Sequence, residues 1–341
     1  MKLTLFCLLS FLCLSAYAFE NESVFRVMCY NVENYFDCVD DPDTNDEEYL
    51  PGGIRGWNHT RYVEKQYNIA RVIVAVGGWE PPALVGLCEV ESKKAMLDLV
   101  VWGPLKNLQY RFVHHESPDA RGVDVALLYQ PDVFKLLYDK PIRVTFTDAP
   151  QSTTRDILYV MGQLPGRDTL HVFVCHFPSR LGGELESENR RVDAARILKC
   201  KVDEIFEDDA DAKIMIMGDF NDYPDNKSIK EILQAEEPQM PFSSSTLYNL
   251  MYSKHREGKG THKHEGSWGV LDQIIVSGSL LDDSSVTFTT PSDMHIFEED
   301  FLLEDDEKFF GKKPFRTYVG MKYAGGFSDH LPVYVDLYLK F

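Results

Sequence analysis

The chain has 341 residues, 44% of them hydrophobic and 26% charged, with a formal net charge of −19. This is the composition of a soluble globular protein with material for a sizeable core. The acidic balance excludes an overall basic footprint for tight, sequence-independent nucleic-acid binding, although a local basic rim and a divalent metal can offset the field.

In chain order, Lys2 precedes a nearly continuous apolar run from Leu3 to Leu14, and Ala16-Tyr17-Ala18 has the form of a cleavage site. This predicts a signal peptide over 1–18, cleaved near Ala18, and export to the periplasm or the outside; the run is too short for a comfortable membrane span. Cleavage removes Lys2, Cys7 and Cys13, leaving a net charge of −20 and five cysteines, with no transmembrane segment in the mature chain. Cys29, Cys88 and Cys175 lie in apolar runs and read as buried core residues; pairing of Cys38 with Cys200 stays open.

Val24 to Tyr30 reads as a strand ending at Asn31-Val32-Glu33-Asn34. Asp37 to Glu48 is an acidic loop; it lacks the glycine and the bidentate glutamate of a calcium-binding hand and reads as solvated. Thr60 is a candidate cap for a helix running to about Val76, closed by Gly77-Gly78. Ala83 to Cys88 is a buried strand that runs into Glu89, and a carboxylate there is costly unless it is paired or binds a metal. Strands are expected over 121–129, 143–146 and 157–163. His171 to His176 alternates as a strand and leads into Pro178-Ser179-Arg180 and Gly182-Gly183, a combination suited to an anion. A helix is expected from Glu186 to Phe206.

Ile214 to Met217 reads as a further fully buried strand, followed at once by Gly218-Asp219-Phe220-Asn221-Asp222. Asp219 and Asn221 fall on one side of an extended segment at a strand end, a stiff place to hold a metal, a water or a phosphate; an ordinary turn is the competing reading. Ile229 to Leu233 is a short helix. Gly258 to His264 is a polar loop whose His262 and His264 lack a third ligand, so it is expected to face substrate. Leu271-Asp272 opens another strand, Lys312, Lys313 and Arg316 form a small basic group expected on a solvated face, and Ser328-Asp329-His330 precedes a last strand over 333–339. Numerous short strands with polar ends and few helices predict two mixed sheets packed together, flanked by helices, with the site along one edge.

Tyr30-Asn31-Val32-Glu33, Leu87-Cys88-Glu89-Val90, Cys175-His176-Phe177-Pro178, Gly218-Asp219-Phe220-Asn221, Leu271-Asp272 and Ser328-Asp329-His330 resemble, in order, the motifs of the endonuclease/exonuclease/phosphatase superfamily, typified by deoxyribonuclease I. The loops after His176 and before His264 look like those of its secreted bacterial members. The resemblance covers the chain from about residue 24 onward, so one catalytic domain is expected over 19–341. It implies an α/β fold, a four-layer α/β/β/α sandwich with two mixed β-sheets and the active site at one edge. It also implies a metal-dependent phosphoric ester hydrolase using Mg2+, with Mn2+ or Ca2+ as alternatives.

Carried over by motif, Glu89 looks like the principal metal-ligating carboxylate, with Asn31 as the companion that orients it or the metal water and Asp329 as a further metal-site carboxylate. Asp219 and Asn221 look like the pair that positions and activates water. Asp272 and His330 look like a carboxylate–imidazole dyad beside the phosphate, and His176 falls where relatives have a catalytic His or Tyr. Glu33 takes a position often filled by an acid. Arg180, His262 and Lys263 are the candidate phosphate-binding residues. The expected activity is that of a secreted phosphodiesterase or nuclease, acting as a monomer on a phosphate ester, nucleic acid among the candidates. A phosphomonoesterase or lipid- or inositol-headgroup enzyme, and a non-catalytic binding protein on the same fold, are the alternatives.

Overall fold

The computed structural model describes residues 22–340; the expected leader segment and its cleavage site lie outside them. The strands in chain order are β1 (Glu22–Tyr35), β2 (Leu84–Val90), β3 (Arg111–His114), β4 (Asp124–Tyr129), β5 (Lys135–Ile142), β6 (Ile157–Gln163), β7 (Thr169–His176), β8 (Lys213–Asp219), β9 (Ala235–Glu236), β10 (Leu247–Asn249), β11 (His262–His264), β12 (Ser267–Gly269), β13 (Asp272–Ser277), β14 (Thr287–Phe288), β15 (Met294–Ile296), β16 (Leu303–Asp305), β17 (Lys312–Pro314), β18 (Tyr318–Val319), β19 (Lys322–Tyr323) and β20 (Val333–Lys340). The helices are α1 (His59–Gly77), α2 (Lys93–Val100), α3 (Glu184–Asp208) and the short α4 (Tyr252–Arg256).

Two mixed sheets carry the fold. One runs β14-β20-β1-β2-β4-β3, with β15 also on β20; the other runs β5-β6-β7-β8-β13-β10-β9. Alternation along the strands explains why they stack. Val27 and Cys29 of β1 pack between the sheets with Met215 and Met217 of β8. Met28 and Tyr30, one residue out of phase, face the apolar stripes of α1 and α2. Ile214 and Ile216 face Ala194, Ala195, Leu198 and Val202 of α3. A strand with both faces covered needs no polar side, which is why the 214–217 run is continuously apolar. The order is therefore helix, sheet, sheet, helix, as expected.

The local departures have physical causes. Helix α1 is capped by Asn58, whose side chain accepts from the backbone N–H of Thr60 and Arg61, rather than by Thr60. The expected strand over 143–146 is instead irregular chain: Val144 and Phe146 are buried under α3, and the edge position goes to β5, whose exposed face and Pro141 suit an edge. The expected polar loop before His264 closes as the β11–β12 hairpin. In the acidic loop, Asp37 and Asp46 are buried, 4% and 1% exposed, so these two carboxylates are not solvated as expected.

Register brings the site residues level. His176 pairs with Asp219 across parallel β7 and β8, and Asp219 pairs with Asp272 across antiparallel β8 and β13. On the facing sheet Asn31 pairs with Cys88, next to Glu89. Chain ends of five strands thus converge at one edge of the sandwich.

Candidate active site

Asp219 is the centre of this group. Its side chain is 2% exposed. Oδ2 accepts from Asn31 Nδ2 at 3.0 Å and Oδ1 from the Asn221 backbone N–H at 2.9 Å. Burial pushes its carboxyl up to about 6; the neighbouring Asp272 adds to this, while His330 and the two donors oppose it. The carboxylate is therefore fixed in direction and made more basic than in water.

Two imidazoles face it. His330 Nε2 lies 3.8 Å and His176 Nε2 3.6 Å from Asp219 Oδ2. His330 Nδ1 donates to Asp272 Oδ2 at 2.7 Å. Burial alone would push His330 down, but the Asp272 and Asp219 carboxylates outweigh it and hold its pKa well above the ordinary value, so it carries a proton. His176 goes the other way: burial first, then Arg155, Arg121 and His330, hold it well below the ordinary value and neutral. Its Nδ1 is buried with no hydrogen-bond partner. One charged and one neutral imidazole beside the same carboxylate oxygen is a useful division of labour: one stabilises negative charge and the other is free to exchange a proton.

Glu89 stands beside them with Oε1 at 3.9 Å from His176 Nε2 and 3.8 Å from Arg121 Nη2. Oε2 accepts from the Asn34 N–H at 2.8 Å, whereas Oε1 has no donor within hydrogen-bond distance. Glu33, Glu89 and Asn221 all take left-handed φ values, 54°, 67° and 50°. Such conformations in non-glycine residues are uphill and persist where the surroundings impose them, characteristically at functional sites.

Asp329 is held by Arg316 Nη2 at 2.8 Å, and the same guanidinium reaches buried Glu33 Oε1 at 3.1 Å. Arg316, aided by His330 and His262, outweighs burial and keeps Asp329 below its ordinary value. His262 is adjacent, its ring 4.8 Å from that of His330, and burial, reinforced by His330, pushes it down to about 4. His262, Asp329 and His330 each place one ligand atom within 4.8 Å of the others, a group able to hold a metal ion. The proton on His330 and the guanidinium on Asp329 compete with a cation there. Glu89, with a free oxygen, a hard donor set and an imposed backbone, fits a divalent ion better.

Asn221 donates Nδ2 to the Phe177 carbonyl at 3.1 Å. Arg180 is spent on the protein itself: Nε donates to the Asn221 carbonyl at 2.7 Å and Nη1 to Glu184 at 2.9 Å. It braces the Asp219–Asn221 turn from behind. Lys263 is not brought to the site; its ammonium is buried against Asp306 at 2.9 Å and donates to the Phe310 and Lys312 carbonyls. His264, two residues from His262, is exposed.

Three further contributors were not among the expected site residues: Arg155 and Lys65 carry no local sequence signal, whereas Ser328 lies in the Ser328-Asp329-His330 motif. Arg155 is buried, donating Nη2 to the Phe177 carbonyl at 2.9 Å and Nη1 to Asp119 at 3.1 Å. Ser328 Oγ donates to the Asn31 carbonyl at 2.7 Å and accepts from the His330 N–H at 3.1 Å, tying two motifs 297 positions apart. Lys65 of α1 is buried beneath Glu33, donating to Thr317 Oγ1 and the Phe327 carbonyl.

The family model described as "Endonuclease/Exonuclease/phosphatase family" matches residues 26–339. The chain belongs to the endonuclease/exonuclease/phosphatase family. Solved structures with the same fold include the human Nocturnin catalytic domain with bound sulfate (17% identity, covering 92% of this chain and 94% of that one, TM-score 0.54). D. rerio TDP2 complexed with single-strand DNA product is 12% identical, with 92% and 99% covered and a TM-score of 0.55. The Bacteroides thetaiotaomicron mannosyl-6-phosphatase is 15% identical, with 92% and 99% covered and a TM-score of 0.55. No curated protein matches. The family is named for enzymes that cleave phosphate esters, and among the described residues no helix is long and apolar enough to cross a membrane.

Proposed function

We propose that this protein is an exported, Mg2+-dependent phosphodiesterase that hydrolyses a nucleic-acid phosphodiester with an Asp219-activated water. The observation that carries the reading is Asp219, fixed by Asn31 and Asn221 and faced at 3.6 and 3.8 Å by a neutral and a protonated imidazole. Phosphoester hydrolysis needs an oriented water, a proton acceptor and positive charge on the phosphate oxygens.

Asp219, poised near neutrality, accepts the proton of the attacking water. The Asn221 carboxamide, held by the Phe177 carbonyl on a turn whose backbone Arg180 braces, helps set the water's direction. His330, charged by Asp272, clamps a non-bridging oxygen as negative charge builds. His176, kept neutral, stands 3.6 Å from Asp219, where it can give a hydrogen bond to the same phosphate. A divalent ion at Glu89, with Asn31 nearby, would neutralise phosphate oxygens and stabilise the leaving oxygen. Nucleic acid is placed first because structural relatives include TDP2 with a single-strand DNA product and because Arg121 and Arg316 stand partly exposed at the site.

A small ester or headgroup is the second reading, favoured by the net charge of −19, which repels a long polyanion. The test is a hydrolysis panel in Mg2+ or Mn2+ covering plasmid, single-stranded DNA, RNA, sphingomyelin, an inositol polyphosphate and generic mono- and diesters, with EDTA and Asp219→Ala controls. Nucleic-acid cleavage abolished by both controls is the expected result. Cleavage of only a small ester moves the substrate, and cleavage that survives Asp219→Ala rejects the mechanism.

A further inference from the structure

Away from the phosphoester centre, a second set of ligand-type side chains converges where the 115–123 loop leaves β3 and enters β4. His114 ends β3, Asp124 begins β4 and Glu116 lies on the loop between them. The His114 side chain is 1% exposed, and its Nε2 is buried with no hydrogen-bond partner. Asp124 Oδ2 lies 3.4 Å from that nitrogen. The other Asp124 oxygen is already taken by Ser117, through its N–H at 3.1 Å and its hydroxyl. Glu116 Oε1 lies 3.8 Å from His114 Nδ1 and accepts from the Lys93 N–H at 3.3 Å. One ligand atom from each of the three falls within 4.8 Å of the others.

A gap of 3.4 Å is long for a hydrogen bond between an imidazole and a carboxylate, which closes to about 2.7–2.9 Å when charged. It matches the spacing of neighbouring donors around a tetrahedral ion with arms of about 2.0–2.1 Å, roughly 3.4 Å. A buried ring nitrogen without a partner also calls for an occupant. We propose that His114 Nε2 and Asp124 Oδ2, joined by the exposed Glu116 carboxylate turning from the Nδ1 side of the ring, form a binding site for a divalent first-row transition ion of the Zn2+ type. One imidazole and two carboxylates suit such an ion better than Mg2+, which prefers an all-oxygen shell. Glu116 is 62% exposed, so the ion enters from solvent on its side and keeps water as a fourth ligand.

The site lies at both ends of a loop that matters elsewhere. Asp119 on that loop holds Arg155 at 3.1 Å, and Arg121 approaches Glu89 at 3.8 Å. An ion joining Glu116 to His114 and Asp124 fastens the loop to the sheet and thereby steadies both arginines.

The experiment uses the full mature chain stripped with EDTA and titrated with Co2+, which reports its ligands in the visible spectrum, and with Zn2+. Wild type, His114→Asn, Glu116→Gln and Glu89→Gln are compared by bound equivalents, spectrum and Zn2+-induced shift in Tm. Wild type and Glu89→Gln are expected to share a Co2+ band and a Zn2+ stabilisation that His114→Asn lacks, with Zn2+ affinity in Glu116→Gln lowered about tenfold or more, at least the cost of losing a group that supports a ligand. Equal equivalents and an unchanged band in wild type, His114→Asn and Glu116→Gln overturn the site and leave His114 as a structural bridge between two acids. Glu116 is exposed, so its variant decides the matter even if His114→Asn does not fold. Glu89→Gln keeps the result independent of the phosphoester centre.

Discussion

At the scale of single residues, the site works by giving similar groups different environments. His330 and His176 are both buried and both face Asp219, yet the first sits on a carboxylate that charges it and the second among arginines that discharge it. Replacing His330 by alanine removes the only imidazole held as a cation here and leaves Asp272 Oδ2 without its 2.7 Å partner. The expected loss in kcat is about 10²–10⁴-fold, with Mg2+ binding retained by calorimetry; near wild-type turnover would remove His330 from the mechanism. A third histidine shows the same physics without catalysis. His171 on β7 accepts at Nδ1 from the Tyr159 hydroxyl at 2.7 Å, and burial, the largest effect on it, lowers it from 6.5. Its folded value thus lies below its unfolded one, so from pH 6.5 downward the unfolded chain binds a proton that the folded chain refuses. Its contribution to stability is full above pH 6.5 and is lost on acidification. The drop in Tm between pH 7 and pH 5.5 should therefore be smaller in His171→Gln than in wild type; an equal or larger drop would contradict this.

At the scale of elements, the strand ends do the positioning, and one glycine shows how tight they are. Gly218 lies inside β8 at φ 153°, and a Cβ there would meet the Cys175 carbonyl oxygen at 1.9 Å. Neither a left-handed φ nor a backbone clash can be relieved by a rotamer change, so β7 and β8 would have to part just where His176 and Asp219 pair. Gly218→Ala should give little soluble protein or, where it folds, a clearly lower Tm with activity reduced about as far as in Asp219→Ala; a folded, active variant would show that the strand spacing is not critical. The same tightness explains which elements were legible in advance. Both faces of β2 and β8 are covered, so their sequences are unbroken apolar runs that end abruptly in Glu89 and Asp219, and strand, fold class and motif could all be read together. Sequence failed where burial was one-sided or borrowed. Val144 and Phe146 look like a strand but are packing material for α3, while the real edge strand β5 exposes half of its side chains fully and the rest in part. Helix α2, eight residues long, is too short for its periodicity to stand out. Arg155 and Arg316 looked like any surface cation; only the fold brings one onto the Phe177 carbonyl and the other between Glu33 and Asp329. Arg180 and Lys263 carried the right charge for phosphate, but their donors are consumed by Asn221 and Asp306.

At the scale of the whole molecule, the layered core decides the fate of the cysteines and offers a check on export. Cys29, Cys88 and Cys175 are fully buried, Cys29 and Cys88 between the sheets and Cys175 on the α3 side, while Cys38 is partly buried and Cys200 exposed on α3; all five are free. Cys38 and Cys200 are therefore not bonded to one another, and no disulfide supports the described part of the chain. The core carries that burden, which is consistent with three stacked interfaces of apolar side chains rather than covalent staples. Burial also suppresses the thiolate: desolvation, joined by the neighbouring Cys88, holds Cys175 well above the ordinary thiol value, so it reacts slowly even when a reagent reaches it. A thiol-specific reagent applied to the folded protein should then label Cys200 fast, Cys38 more slowly and the other three only on unfolding. The total in denaturant tests the leader as well. Cleavage near Ala18 removes Cys7 and Cys13, so the exported product should titrate five thiols, whereas a chain keeping its first residues should titrate seven. Two missing thiols in the denatured mature chain, recovered by reductant, would instead reveal a disulfide at odds with the packing; rapid labelling of all five under native conditions would mean that the sheets open far more readily than so dense a core allows.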